Sequence, residues 1–468
     1  MAELIEQLYT GCLAQGAYYI EFNGEAAVID PLRETDQYVE LAEKRGAKIK
    51  YIFETHFHAD FVSGHLDLAK KTGAQIVFGP TAKTDYDIYV GTDLEEFKIG
   101  AYSLVLLHTP GHTMESSTFL LRNAAGKDEA LFTGDTLFLG DVGRPDLAIK
   151  SDLSREDLAG YLYESIYNKL MPLADDIIVY PGHGAGSACG KNMSKDTSDT
   201  LGNQKKTNYA LQDLTKEQFI KEVTSGILPP PQYFAKNAMM NKSGYVSFDD
   251  VLAQGMKALS VEEFVIKSFE KRVLILDTRA PQTFNKGFIP NSINIGLDGK
   301  FAVWVGALIS DLNTPILLVT DEGREEEAVT RLARVGYDNP VGYLKGGFDA
   351  WTKSGNAAYI IPSIDADEFA QAYKTGIKVL DVRNPNEYLS QHVEGVENFP
   401  LDYINKHLSD LDKDTTYYVH CAGGYRSMIA SSILRKAGYK NLVDVKGGFG
   451  KIKETDIALT NYVCPSTL

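Results

Sequence analysis

Short apolar runs separated by glycine-rich turns organise the first half of the chain, with brief stretches of helical periodicity between them. "YIEFNGEAAVIDP" (19–31) predicts two strands around a turn, and "DQYVELAEKRG" (36–46) an amphipathic helix stopped by Gly46. "IKYIFET" (49–55) predicts a buried strand. "YSLVLLHTPGHT" (102–113), "EALFTGDTLF" (129–138) and "DIIVYPGHG" (176–184) repeat one design, an apolar strand followed by a glycine turn bearing His or Asp. Three consecutive prolines in "GILPPPQYFAKN" (226–237) break regular structure.

The second half repeats itself with a period of about 100 residues, the size of one small domain. "LILDTRAPQTF" (274–284) matches "KVLDVRNPNEY" (378–388), "PILLVTDEGREEE" (315–327) matches "TYYVHCAGGYRSM" (416–428), and "YLKGGFDAW" (343–351) matches "VDVKGGFGKI" (443–452). Strand and helix patterns alternate in each copy, so each is expected to form a parallel sheet flanked by helices. The 468 residues therefore divide into three expected domains, at 1–245, 256–356 and 360–462.

A net charge of −16 with no basic stripe argues against nucleic acid as a partner. No run of 18 apolar residues occurs, so no membrane span is expected. "MAELIEQLYTGCLAQG" lacks the basic start of a secretory signal. The four cysteines, Cys12, Cys189, Cys421 and Cys464, fit no zinc spacing. Few cysteines and no export signal point to a reducing, cytoplasmic setting, and a homo-oligomer is expected.

The strand-end residues bring chemistry. His56, His58, Asp60, His65, His108, His112, Asp135 and His183 are the candidates for a metal, since neutral imidazole and carboxylate suit zinc or iron. One such histidine alone is ordinarily a hydrogen-bonded core residue. The set is different: HxHxD, PGHT, TGDT and PGHG, in that order, resemble the metallo-β-lactamase superfamily over residues 1 to about 245. The resemblance implies an N-terminal αββα fold. In the two-metal hydrolases of that superfamily the first motif reads HxHxDH, and this chain has Phe61 where the last histidine would stand. One ligand for a second metal is thereby lost.

His56, His112 and Asp135 remain as two histidines and a carboxylate, the facial triad of non-heme iron(II) oxygenases. The chain here resembles the persulfide dioxygenase branch of the superfamily, which implies a single Fe(II) per chain held by these three residues. His58, Asp60 and His183 would then surround and orient the ligands. The resemblance also implies a role for Arg144, in "GDVGRPDL" (140–147), beside the substrate, where its fork would suit a thiol cofactor's carboxylate. Cys189, six residues after His183, is a candidate catalytic thiol lining the iron pocket. "LGNQKKTNYAL" (201–211) offers two lysines that could grip an anionic thiol.

In the last copy, "VHCAGGYRSMIA" (419–430) sets Cys421 between a strand and a helix. Its loop Ala422, Gly423, Gly424, Tyr425 can curl so that backbone N–H groups form an anion nest, and the helix N-terminus adds positive potential. Both favour a thiolate. A tyrosine phosphatase needs five residues between Cys and Arg; here four separate Cys421 from Arg426. With "LDVRNPNEY" and "KGGF", the copy resembles a rhodanese sulfurtransferase, with Cys421 and Arg426 as its catalytic pair. In the first copy Asp321 takes the cysteine's place, crowded by Glu322, Glu325, Glu326 and Glu327. An aspartate cannot carry sulfane sulfur, so that copy reads as inactive.

The whole order resembles persulfide dioxygenase–rhodanese fusions, an α/β chain with two parallel-sheet rhodanese domains after the αββα domain. That resemblance implies oxidation of a low-molecular-weight thiol persulfide by O2 to sulfite, with thiosulfate formed or consumed by Cys421. Two other expectations stand beside it: a zinc thioester hydrolase of the glyoxalase II type fused to sulfurtransferase domains, and a sulfur-binding scaffold without turnover.

Overall fold

The structure, a computed structural model, describes residues 4–147, 153–227 and 229–464. The chain forms two compact units, Met1–Asp250 with Ala333–Gly336, and Val251–Leu332 with Tyr337–Leu468.

In the first unit two six-stranded sheets face one another. One has the spatial order Leu4–Thr10, Gln15–Phe22, Glu25–Ile29, Lys48–Phe53, Gln75–Phe78, Tyr89–Val90. The other runs Asp199–Thr200, Ile178–Pro181, Asp128–Gly134, Ser117–Arg122, Tyr102–His108, Glu96–Ile99. Successive side chains of a strand point to opposite faces, and here both faces are covered. Tyr18, Ile20, Phe22 and Phe53 meet Leu104, Leu106, Phe119 and Phe132 between the sheets. Their neighbours Tyr19, Val28 and Ile52 point outward onto Tyr38 and Leu68, from the helices Asp36–Arg45 and His65–Thr72. On the other side Val105, Leu107, Leu120 and Val179 pack against Ala159, Leu162 and Phe219, from the helices Arg155–Ser165 and Lys216–Thr224. The layers are therefore α, β, β, α. This explains why the strands read as near-continuous apolar runs rather than clean alternation. Among the described residues no helix is long and apolar enough to cross a membrane.

The second unit holds two five-stranded sheets whose strand pairs are all parallel. Their orders are the same: Ala258–Leu259, Pro340–Leu344, Ile316–Val319, Leu274–Asp277, Ile293–Asn294, and then Ser363–Ile364, Leu442–Val445, Tyr417–His420, Lys378–Asp381, Glu397–Asn398. The repeat extends to a buried ion pair. Arg279 Nη2 lies 2.6 Å from Asp277 Oδ2, and Arg383 Nη2 lies 2.6 Å from Asp381 Oδ2. Each guanidinium also donates to a carbonyl eight residues on, Gly287 or Gln391, at 2.9 Å. Each lies over the phenylalanine of its own KGGF turn, Phe348 at 4.4 Å and Phe449 at 3.9 Å. Two motifs about 70 residues apart in sequence thus describe one packed contact.

Burial pushes the Asp277 carboxyl up even with Arg279 beside it. For that carboxylate, burial thus outweighs what Arg279 contributes to its charged form. Arg279→Leu, which strands a buried carboxylate, should cost about 3–5 kcal/mol in urea unfolding, whereas Asp277→Leu with Arg279→Met should cost much less. A double variant as unstable as the single would contradict this account.

Candidate metal centre and cysteine loop

The Lys48–Phe53 strand leads through Glu54 and Thr55 to His56, and the Asp128–Gly134 strand leads directly to Asp135. The latter pairs in parallel with Ile178–Pro181, so His183 emerges beside Asp135. His112 lies in the turn after Tyr102–His108. Ligand atoms of His56, His112 and Asp135 fall within 4.8 Å of one another, and all three residues are buried.

Hydrogen bonding fixes which ring nitrogen each histidine presents. His112 Nδ1 is 2.9 Å from the Arg144 carbonyl, which can only accept, so Nδ1 carries the proton and Nε2 is bare. Thr55 gives its hydroxyl proton to Asp30 Oδ2 at 2.8 Å and so accepts from His56 Nδ1 at 3.0 Å. His56 Nε2 is bare as well. Both nitrogens face Asp135 Oδ2, at 3.8 and 3.4 Å. That oxygen is buried with no hydrogen-bond partner. Burial holds both imidazoles below their usual range. Burial raises the Asp135 carboxyl, but His183, His56 and His112 outweigh it and hold it well below the ordinary carboxylate range. Two neutral imidazoles and one carboxylate with an orphaned oxygen are the protonation states a divalent metal requires.

Asp135 Oδ1 accepts from His183 Nδ1 at 2.7 Å, and His183 Nε2 lies 2.8 Å from Asp60 Oδ2. Burial works against charge on His183, yet the two carboxylates win and raise its pKa well above the usual value. Cys189 joins Asp60 and His183 in a second cluster. Burial, with Asp60 and Asp135 nearby, keeps it a thiol. This cluster is as buried as the first, and its His183 Nε2, like Asp135 Oδ2, has no hydrogen-bond partner. Phe61 is fully buried, its ring 4.3 Å from that of His58 and 6.5 Å from that of His183.

His58 is turned away from the triad. Its Nε2 lies 3.1 Å from Asp30 and 3.5 Å from Glu54. Burial, then Asp30, raises the Glu54 carboxyl well above its usual value. His65 spans Glu54 at 3.2 Å and Tyr86 at 2.7 Å, and burial lowers its pKa to about 3. His108 bonds the Met114 carbonyl. His65 is thus a buried, hydrogen-bonded core histidine and His108 a half-buried, hydrogen-bonded one. Arg144 is paired beside the site, with Asp146, which lines the cavity at His112. Its fork holds Asp146 at 2.6 and 2.8 Å and the Ala188 carbonyl at 3.1 Å; its backbone carbonyl is what orients His112. Of the two lysines in 201–211, Lys205 is bound to Asp175 and the Leu173 carbonyl.

Several residues the sequence did not single out complete the site. Asn241, on the helix Phe234–Ser243, donates to the carbonyls of His58 and Phe61 and accepts from Ser63 N, which staples the histidine loop. Gly143 leaves no room for a side chain: a Cβ there would overlap the Asp135 carbonyl oxygen and lie 3.0 Å from His112 Nδ1. A cavity of about 370 Å³ opens at His112, walled by Phe57, Met114, Pro230, Pro231 and Phe234. Lys242 also lines it, its ammonium 4.9 Å over the Phe57 ring.

In the second unit, Cys421 is buried between the Tyr417–His420 strand and the Tyr425–Lys436 helix. Gly424 N donates to Cys421 Sγ at 3.1 Å, with Gly424 at φ +100°, where glycine is favoured. Ser427 Oγ lies 3.8 Å from the sulfur. Ala422 and Gly423 are exposed. The KGGF turn clamps the loop from behind, Phe449 N on the Cys421 carbonyl at 2.6 Å and Gly450 N on that of Ala422 at 2.9 Å. Arg426 spends two nitrogens on Glu387, at 2.6 and 2.8 Å. In the first copy the register corrects the sequence alignment: Asp277 lies opposite Val319 as Asp381 lies opposite His420, so buried Thr320 takes the place of Cys421 and exposed Asp321 that of Ala422, still with no thiol in the loop.

Family models match along the same lines, the metallo-beta-lactamase superfamily over residues 10–183 and the rhodanese-like domain over 260–354 and 365–455. The chain belongs to the metallo-beta-lactamase superfamily, as a fusion with two rhodanese-like domains. More particularly, it is 30% identical over 210 residues to the persulfide dioxygenase ETHE1, mitochondrial, of Mus musculus, covering 44% of this chain and 74% of that one. It is also 29% identical over 188 residues to the hydroxyacylglutathione hydrolase GloC of Haemophilus influenzae, covering 36% and 83%. Among solved structures it is similar to a metallo-beta-lactamase from Staphylococcus aureus subsp. aureus COL, with 32% identity and a TM-score of 0.64 over 73% of this chain and 98% of that one.

Gly143→Ala should push Asp135 and His112 apart. Metal affinity, measured by competition with a chromogenic chelator, should fall about 10- to 100-fold. Unchanged affinity would show that the loop yields without moving the ligands.

Proposed function

We propose that the first unit is a mononuclear non-heme iron persulfide dioxygenase and that the last rhodanese copy transfers sulfane sulfur through Cys421. The reading rests above all on Asp135 Oδ2, buried without a partner and faced by two bare imidazole nitrogens. Phe61 and the Asp60–His183–Asp135 chain support a single ion rather than a pair. The similarity to a persulfide dioxygenase supports this chemistry.

The reaction is R–S–SH + O2 + H2O → R–SH + SO3²⁻ + 2 H⁺. Iron(II), when bound by His56, His112 and Asp135, supplies the one-electron chemistry that lets O2 react with a thiol persulfide, and three protein ligands leave room for both. The protein's part is orientation and exclusion of water. Thr55 and the Arg144 carbonyl hold the two rings, and His183 holds the carboxylate. The apolar walls of the cavity at His112 suit the body of a thiol carrier, and Lys242 suits an anionic group on it. Cys189 stands beside Asp135 as a neutral thiol. In the rhodanese copy, Cys421 takes the outer sulfur, R–S–SH + Cys421–SH → R–SH + Cys421–S–SH, and sulfite removes it as thiosulfate. The reverse use of thiosulfate is equally balanced. The similarity to a hydroxyacylglutathione hydrolase keeps a zinc-dependent thioester hydrolase as the second reading.

Anaerobically purified protein should contain iron near one equivalent and consume O2 with a persulfide. Two tightly bound zinc ions, with thioesterase activity and no O2 uptake, would establish the second reading instead. His112→Ala should lose metal and O2 uptake while keeping transfer from thiosulfate to cyanide; Cys421→Ser should do the reverse, since serine forms no persulfide.

Lys242→Ala should raise KM about fivefold for a persulfide bearing carboxylates and much less for an uncharged alkyl persulfide. Equal effects on both would remove Lys242 from substrate binding.

A further inference from the structure

The acidic stretch Asp321–Glu327 of the first rhodanese copy has no thiol and no part in the chemistry above. Its side chains nevertheless form an ordered network. Arg324 lies 2.9 Å from Asp298 and 2.8 Å from Glu327. Glu327 pairs with Arg331 at 2.6 Å, and Arg331 donates to the Leu297 carbonyl at 2.6 Å. Four charged residues thus hold the segment 296–299.

That segment carries the second copy's active loop. The Tyr425 hydroxyl donates to the Gly296 carbonyl at 2.6 Å. A Cβ on Gly299 would overlap the Tyr425 ring, so the tyrosine lies flush against a surface with no side chain. Tyr425 directly follows Gly424, the residue whose N–H bonds the Cys421 sulfur. Other contacts run the same way. Asn294 N donates to Ser432 Oγ at 2.9 Å, and Phe284 and Phe288 pack on Met428. Gln282 reaches Asp444 at 3.5 Å, and Asp444 accepts from Ser427 Oγ at 2.7 Å. Every residue from Ser427 to Leu434 is buried.

A loop containing two adjacent glycines does little to fix its own shape, because glycine loses the most conformational freedom on ordering. The direction of the Gly424 N–H must then be set by its neighbours. The KGGF turn holds one side of the loop, at Cys421 and Ala422, and Tyr425 holds the other.

We propose that the first copy has exchanged catalysis for positioning. Its Arg324–Asp298–Glu327–Arg331 network fixes segment 296–299, which through Tyr425 keeps the Gly424 N–H aimed at the Cys421 sulfur. Tyr425 and Arg324 are positioning residues, and the proposal rests on the reading of Cys421 as the sulfur carrier.

Two full-length variants test it. Tyr425→Phe deletes the hydroxyl alone. Arg324→Met removes the centre of the network from a partly exposed site, and keeps the test available if Tyr425→Phe folds poorly. One readout is sulfur transfer: S2O3²⁻ + Cys421–S⁻ → Cys421–S–S⁻ + SO3²⁻, after which cyanide removes the outer sulfur as thiocyanate and restores Cys421–S⁻. The other is the pH dependence of Cys421 alkylation by iodoacetamide, followed by mass spectrometry of its peptide. In each variant kcat/KM should fall about fivefold. Alkylation should move to higher pH by about half a unit, because an N–H no longer aimed at the sulfur stabilises its negative charge less. The double variant should be no worse than Tyr425→Phe alone, since both act on one contact. Wild-type transfer and a wild-type profile in Tyr425→Phe would overturn the proposal. So would an Arg324→Met chain that melts early with its Cys421 profile unmoved, because the network would then serve the first copy only. A wild-type chain with no transfer, whose profile still shifts in both variants, would sink the sulfur-carrier reading and leave the brace standing.

Discussion

One carboxylate organises the first unit. Asp135 is fully buried at the end of a strand, where an unpaired charge would cost several kcal/mol. Its Oδ1 is satisfied by His183, itself charged between Asp135 and Asp60. Its Oδ2 is left to the point where His56 and His112 direct their bare nitrogens. The backbone must come very close to allow this. Gly134 adopts φ +49° against Thr55, and a Cβ on Gly182 would stand 2.8 Å from Asp135 Oδ1. The site is therefore specified by what cannot be there as much as by its ligands.

The environment sorts chemically equivalent residues into different duties. Burial pushes His56 and His112 toward the neutral form, while His183, equally buried, is pushed toward the charged form by the two carboxylates that face it. His58 shares a motif with His56 yet pairs with Asp30 and Glu54 instead. Phe61 lies over His58 and fills the space beside it.

The two rhodanese copies show the same principle on a larger scale. Their sheets, their buried Asp–Arg pairs and the phenylalanines stacked on those arginines repeat almost distance for distance. What changed is the loop after the central strand of each sheet, Ile316–Val319 in one copy and Tyr417–His420 in the other. It is a curled, thiol-bearing turn in one copy and a charged, exposed one in the other. The buried pair sits at the same end of the neighbouring strand, Asp277 opposite Val319 and Asp381 opposite His420, so the loop changed above a support that both copies kept.

The sequence by itself determined the internal repeat and its parallel sheets, while the superfamily resemblance of its motifs implied the αββα fold and the triad His56, His112, Asp135, whose ligand atoms the structure brings within 4.8 Å. These signals are local: a strand's apolar run and the ligand at its end are adjacent in the chain, so order and spacing reveal them. The cysteine loop and its glycines were legible for the same reason. Only the tertiary structure decided how the remaining polar groups are spent. Arg144 is turned onto Asp146 and lends the site its carbonyl instead of its charge, and Arg426 is paired with Glu387. Asn241 reaches back about 180 residues to staple the histidine loop. Tyr425 ends on a carbonyl 129 residues away. A long polar side chain can serve any partner within its reach, and packing, not spacing along the chain, chooses which one it meets.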